Sequence, residues 1–127
     1  MDEPEFLARI QHLGGLPSPK EADRWAMTVL LALIHLLPDR HARRRLITQL
    51  PGTLKARLLA EPPGSVPMDL DTFLQHVAAG LGTHAAGGER AVRAVYAALR
   101  EAVSPGELVK VEAHLPGDVV GFLAHAA

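Results

Sequence analysis

A short motif occurs twice in the chain, and each copy follows a segment with helical periodicity. Residues 49–52 are Gln-Leu-Pro-Gly, and residues 114–117 are His-Leu-Pro-Gly. When the copies are aligned with an offset of 65 to 67 residues, apolar residues coincide along both halves. The coincident pairs are Phe6/Phe73, Ile10/Val77, Val29/Val95, Leu33/Leu99 and Leu58/Leu123. The chain is therefore predicted to be an internal duplication of one helical unit.

The first unit is predicted to contain four helices. Phe6, Ile10 and Leu13 have helical spacing, and the two glycines that follow them end the first helix. Residues 18–21 are Ser-Pro-Lys-Glu, which supplies an N-cap serine, a proline at the first helical position and a glutamate three residues past the cap. A second helix is therefore predicted to begin at this segment.

The second helix is apolar on nearly all sides. Within residues 25–37, only Thr28 and His35 fall outside the apolar set. Such a helix belongs in the middle of a bundle, where neighbouring helices cover it. An exposed interaction or membrane surface marked by Trp25 is the alternative. It is disfavoured because the second unit has apolar residues at the matching positions.

The third helix is predicted to start after Asp39, which caps it. An apolar residue at every fourth position from Ala42 to Leu50 forms the stripe that this helix buries. Pro51 ends the stripe, because proline lacks an N–H and clashes with the preceding turn. A short fourth helix from about Pro51 to Ala60 completes the unit.

The second unit is predicted to repeat this plan. Asp69 or Asp71 caps its first helix, and a helix around Ala91 to Ala102 follows, with its start delayed by two glycines at residues 87–88. Residues 104–107 are Ser-Pro-Gly-Glu, which has the pattern of a second capping box. A final helix follows the second Leu-Pro-Gly motif.

The predicted fold is all-α, with two tandem four-helix units related by pseudo-twofold symmetry in one compact bundle. Residues 1–127 are expected to form a single domain, with unit one at 3–60, a Pro- and Gly-rich linker at 61–67 and unit two at 68–126. Hydrophobic residues make up 48% of the chain but aromatic residues only 4%, so the core must be aliphatic. Each unit is expected to bury its second helix against the other.

Three segments carry a resemblance to a known family: residues 5–10, the Gln-Leu-Pro break at residues 49–51, and above all residues 103–108 leading to the second Leu-Pro. Together they resemble the bacterial family called domain of unknown function 2267. The resemblance spans about residues 6 to 123 and implies an all-helical fold. It implies no catalytic residue, because the family has no assigned activity. The run Arg43-Arg44-Arg45 departs from the family pattern, so the resemblance supports no role for it.

The predicted third and fourth helices carry the most concentrated charge. Six basic residues and one acidic residue lie between Asp39 and Arg57, although the net charge of the chain is −1. An acidic protein, a nucleic-acid backbone or an anionic lipid headgroup would suit this surface. The competing interpretation is a solvated helix face, because no stacking aromatic residue or recognition motif lies nearby. The candidate interaction surface consists of Arg40, His41, Arg43, Arg44, Arg45, Lys55 and Arg57.

Catalytic, metal-binding and cofactor-binding residues are not predicted. The chain has no cysteine, which excludes disulfides, thiolate zinc sites and a thiol nucleophile. Its three serines are assigned to two helix caps and the linker, so a hydrolytic triad is poorly supported. Of its seven histidines, only His35 and His114 have an acid four residues later, and a proline interrupts both pairs.

These observations favour a non-enzymatic protein-interaction or scaffold module, with a second copy of the chain as one form of partner. Nucleic-acid or other polyanion binding through the surface from Arg40 to Arg57 is the alternative, and a metal-dependent enzyme is the third. A cytoplasmic location is expected. The first residues are acidic where a secretory signal is basic, and no apolar run approaches the roughly 20 residues of a membrane span.

Overall fold

A computed structural model describes residues 1–62 and 64–125 of the chain. The all-α prediction is confirmed, because the described residues contain helices, turns and loops but no strand. Pro63, in the predicted linker, Ala126, the last residue of the predicted second unit, and Ala127 lie outside the described residues. The described helices are α1 (Glu3–Gly14), α2 (Pro19–Leu36), α3 (Arg40–Thr48), α4 (Thr53–Leu59), α5 (Leu70–Leu81), α6 (Ala85–Ala102), α7 (Pro105–Glu112) and α8 (Gly117–Leu123).

The predicted starts of α2, α3 and α5 are confirmed. The side chains of Ser18 and Asp39 each accept a hydrogen bond from a backbone N–H of the first turn, at 3.3 and 2.8 Å. Of the two aspartates considered for α5, Asp69 is the N-cap, and it accepts from the N–H of Thr72 at 2.8 Å. Each cap satisfies a backbone donor that has no partner within its own helix.

The predicted start of α6 is wrong. The helix begins at Ala85 rather than near Ala91, and His84 caps it by accepting a hydrogen bond from a backbone N–H at 3.2 Å. The glycines at residues 87–88 lie within the helix and do not delay its start. Helix α5 packs directly on α6 at Gly88. A Cβ atom at Gly88 would lie 2.8 Å from the carbonyl oxygen of Leu74, so the close approach of the two helices requires a glycine.

The predicted capping box at the start of α7 is also wrong. Ser104 occupies the N-cap position with Pro105 after it, but the serine side chain makes no cap hydrogen bond. The Glu107 carboxylate instead lies 3.4 Å from the guanidinium of Arg45 and 3.4 Å from the ammonium of Lys110. An ion pair with α3 therefore replaces the predicted local contact.

Four long helices form the centre of the protein. Helix α1 packs on α2 and α6, while α5 packs on α6 and α2, and α2 also contacts α6. The prediction that α2 lies in the interior is confirmed, because no residue from 25 to 37 is exposed. None of the described helices has the length and apolar character needed to cross a membrane.

The short helices pack around this centre. Helix α3 contacts α7 and α4, α4 also contacts α2, and α8 contacts α5. One cluster of buried apolar side chains draws residues from all of these helices. The ten apolar residues that coincide in the sequence repeat are each at most 2% exposed. Burial of matching positions in both halves explains why the apolar pattern is repeated.

Candidate interaction site

The arginines of α3 lie where the helical wheel predicts them. The apolar stripe from Ala42 to Leu50 is buried, which turns Arg40, Arg44 and Arg45 outward as exposed side chains. His41 is exposed as well. The remaining basic residues of the candidate surface are Arg43, which is half-buried, and Lys55 and Arg57, which are exposed on α4.

Two arginines of this surface are neutralised by acids of the same chain. Arg57 makes a two-point contact with the carboxylate of Asp23 on α2, at 2.7 and 2.8 Å. These hydrogen bonds lower the pKa of Asp23 and raise that of Arg57. Arg45 pairs with Glu107 on α7 at 3.4 Å. The two residues therefore contribute less free positive charge than the sequence suggests.

Four Arg and Lys side chains of the candidate surface have no carboxylate partner. Among residues 1–62 and 64–125, Arg40, Arg43, Arg44 and Lys55 form no ion pair with a carboxylate. Arg40 and Arg44 are four residues apart on one helix and therefore lie on the same face. Two positive charges without an ion-pair partner among the described residues therefore lie on one face of the first two turns of α3.

A cavity of about 150 Å³ opens beside these arginines. It lies between the end of α2, the start of α3, the end of α4 and the segment after α4. Its lining combines aliphatic side chains with three arginines, one histidine and one glutamate. The lining residues are Ile34, His35, Arg40, Arg43, Arg44, Ile47, Leu58, Leu59, Glu61, Pro62 and Gly64. The sequence pattern predicts the three arginines but not the cavity.

Hydrogen bonds hold the segment after α4 against this cavity. The guanidinium of Arg43 donates to the carbonyl oxygen of Gly64 at 2.7 Å. The N–H of Val66 donates to the carbonyl oxygen of His35 at 2.7 Å. Arg43 is therefore engaged in holding one wall, whereas Arg40 and Arg44 stand at the edge without an ion-pair partner in the described chain.

A second cavity, of about 620 Å³, lies between the end of α2, residues 65–69 and the turn between α7 and α8. At its edge, Nε2 of His114 is 3.6 Å from a carboxylate oxygen of Asp39. The backbone hydrogen bond from His41 lowers the pKa of Asp39, and His114 acts in the same direction. The sequence spacing pairs His114 with Asp118, but the carboxylate of Asp118 instead accepts a hydrogen bond from a backbone N–H at the start of α5.

The histidines are dispersed over the described residues. Residues 1–62 and 64–125 contain no group of three or more His, Cys, Asp or Glu side chains that would hold a metal ion. His84 caps α6, and His114 faces one carboxylate. The structure therefore assigns these two side chains to helix capping and to a contact between α3 and the α7–α8 turn.

The fold and the site define a small all-helical protein with one arginine-rich helix face. A family model described as an uncharacterized conserved protein (DUF2267) matches residues 3–122. The chain therefore belongs to this family, as the resemblance indicated. No curated protein matches the chain.

Proposed function

We propose that the chain is a non-enzymatic interaction module that binds an acidic segment of a partner protein through Arg40, Arg44 and the adjoining cavity. One observation carries this proposal. The arginines without an ion pair stand beside an apolar cavity, while Arg45 and Arg57 are neutralised within the chain. Guanidinium groups bind carboxylates strongly through paired hydrogen bonds, and an adjacent apolar wall adds burial.

Nucleic-acid binding is the second candidate, and the exposed arginine run of α3 is the observation that favours it. Two features weigh against it. The residues lining the cavity include no Phe, Tyr or Trp side chain on which a base would stack. Intramolecular pairing of Arg45 and Arg57 also shortens the row of charge available for successive phosphates. No observation favours the third candidate, a metal-dependent enzyme.

We infer that the module consists of two tandem four-helix units, residues 3–60 and 68–126, related by a pseudo-twofold axis within one domain. Matching helices have equal or nearly equal lengths. Helices α1 and α5 have 12 residues, α2 and α6 have 18, α3 and α7 have 9 and 8, and α4 and α8 have 7. Glycines at the matching positions 15 and 82 end α1 and α5 in left-handed conformations.

The two units differ most at their third helices. Helix α3 carries the arginine run, whereas the matching part of α7 contains Val109, which is 63% exposed, followed by Lys110. The third helices of the two proposed units therefore match in fold but differ in charge. This difference supports a binding face formed by the first unit alone.

The partner is a cytoplasmic protein, or a second copy of this chain that presents acidic residues from its second unit. Residues 67–127 contain seven acidic and four basic residues, whereas residues 1–66 contain nine basic and seven acidic residues. Sedimentation of the purified protein over a range of concentrations distinguishes these partners. Self-association that Arg44→Glu abolishes would identify the second copy.

Fluorescence anisotropy with two labelled probes, a polyglutamate peptide and a short DNA duplex, tests the choice of polyanion. The Arg44→Glu substitution should weaken peptide binding. Lys20→Glu is the matched control, because it makes the same charge change at an exposed position of α2. Equal effects of both substitutions, or no peptide binding, would contradict the proposal. Duplex binding that is tighter than peptide binding and falls steeply between about 50 and 200 mM salt would favour nucleic acid.

A further inference from the structure

We propose, on the basis of the function proposed above, that the cavity beside α3 accepts one apolar side chain of the acidic segment. The recognised element is then a leucine or phenylalanine flanked by glutamates or aspartates. This motif is more specific than an acidic surface, because it fixes the type of one side chain and its position between the acidic residues.

The size of the cavity fits a single side chain. Its volume is about 150 Å³, and apolar protein cavities of about this volume bind benzene. Ile34, Ile47 and Leu58 contribute walls and are themselves buried, so they are fixed in place by the core. A phenyl or isobutyl group would therefore enter a preformed space. Its transfer from water into the cavity would favour binding.

The edge of the cavity has the features expected at an interface. Leu59 lines the cavity and is 51% exposed, so part of its apolar surface faces solvent there. A ligand side chain in the cavity would cover it. Arg40 and Arg44 line the same cavity, so carboxylates on either side of the apolar anchor would meet guanidinium groups.

Charge complementarity selects a protein segment over other occupants. The three arginines of the lining outnumber its one carboxylate, that of Glu61, so the lining favours an anion, and its aliphatic side chains favour an apolar group next to that anion. A nucleic acid supplies phosphates, but the lining includes no Phe, Tyr or Trp side chain on which its bases would stack. An acidic peptide with one apolar anchor supplies both parts in one chain.

Two peptides test the inference directly. Glu-Glu-Phe-Glu-Glu and Glu-Glu-Ala-Glu-Glu, each with a fluorescent label, are titrated with the full chain, and dissociation constants are measured by anisotropy. Their charges are equal, so any difference reports the apolar anchor. The phenylalanine peptide should bind about tenfold more tightly, because it buries its ring in the cavity.

Substitution of the exposed leucine locates the binding position. Leu59→Gln should reduce the preference for the phenylalanine peptide to about twofold or less, with little effect on the alanine peptide. Val109→Gln is the matched control, because Val109 is an exposed apolar residue on a short helix outside the cavity. It should leave the preference unchanged. Circular dichroism of both variants establishes that each is folded as the wild type is.

The failures are distinguishable. Equal binding of the two peptides, with both weakened by Arg44→Glu, would overturn the inference but leave the acidic-partner proposal intact. A phenylalanine preference that survives Leu59→Gln would also overturn the inference, because the anchor would then lie elsewhere. Absence of binding by either peptide would overturn both. Laurate, which joins an anionic carboxylate to an apolar chain, and a DNA duplex are the competing ligands. If either binds through Leu59 more tightly than the peptides, the inference is overturned and the cavity belongs to that ligand.

Discussion

The guanidinium of Arg90, on α6, donates a hydrogen bond to the carbonyl oxygen of Gly14, the last residue of α1, at 2.9 Å. Arg24, on α2, donates in the same way to the carbonyl oxygen of Leu81, the last residue of α5, at 3.0 Å. In the register of the sequence repeat, Arg24 matches Arg90 and Gly14 matches Leu81. Helices α6 and α2 therefore supply a cation to the C-termini of α1 and α5, respectively, where unpaired carbonyls and the helix dipole favour positive charge.

Removal of one of these contacts should destabilise the fold. Arg90→Ala is expected to lower the free energy of unfolding by about 1 kcal/mol, because the carbonyl of Gly14 loses a charged donor. Urea denaturation at neutral pH measures the change. Arg40→Ala is the control, and it should change stability by less than about 0.5 kcal/mol. Similar losses of unfolding free energy in both variants would show that the hydrogen bond from Arg90 to α1 does not stabilise the fold.

The units should unfold together. A unit of about 60 residues is marginally stable alone, and the central helices of each half pack on those of the other. Differential scanning calorimetry should therefore show one transition whose calorimetric and van't Hoff enthalpies agree. Two resolved transitions would contradict a single cooperative domain.

The two kinds of helical glycine should respond to alanine in opposite directions. Gly88→Ala is expected to cost about 1 to 3 kcal/mol, because its Cβ would meet the carbonyl oxygen of Leu74 at 2.8 Å. Gly121→Ala, in α8, should be neutral or stabilising by up to about 1 kcal/mol, since its Cβ would have no neighbour within 4 Å. Thermal denaturation of both variants compares the signs directly. Tolerance of Gly88→Ala would mean that α5 and α6 are not held this closely.

The helix starts show what local sequence predicts and what it does not. Ser18 and Asp39 act on the turn immediately after them, so their roles are visible in a few residues. Glu107 is different, because its partner Arg45 lies on another helix. Its carboxylate pairs with Arg45, whereas the capping-box pattern predicts a contact with Ser104. The start of α6 was mispredicted for a related reason, since Gly88 depends on the nearness of α5. Tertiary packing decided these two positions.

The candidate site was predicted in part. The arginine face follows from helical periodicity, because burial of the stripe from Ala42 to Leu50 leaves the basic residues outside. Neither the neutralisation of Arg57 by Asp23 nor the cavity beside Arg44 follows from periodicity. Both bring together segments that are distant in sequence. The local signal in the sequence is the pair of adjacent leucines at residues 58 and 59. Adjacent residues on a helix face different directions, and in the structure Leu58 is buried while Leu59 is exposed.

The contact between Asp23 and Arg57 should make stability depend on pH. The hydrogen bonds from Arg57 lower the folded-state pKa of Asp23 below its ordinary value of 3.8. A carboxyl with a lowered folded-state pKa contributes stability above about pH 4, and this contribution is lost as the pH falls through the lowered value. Asp23→Asn should therefore be destabilising at pH 7 and have a much smaller effect near pH 2. Urea denaturation at both values measures the difference, and an equal effect at both would exclude the charge of Asp23 as its cause.

Binding through the first unit is the central claim, and an NMR titration of the labelled full chain with Glu-Glu-Phe-Glu-Glu tests it most directly. The largest amide shift changes should fall in residues 34–35, 40–47 and 58–61 and in Gly64, which surround the cavity. The equivalent part of α7, around Val109, should change little. Changes concentrated on α7, or beside His114 in the second cavity, would contradict the assignment of the binding face to α3.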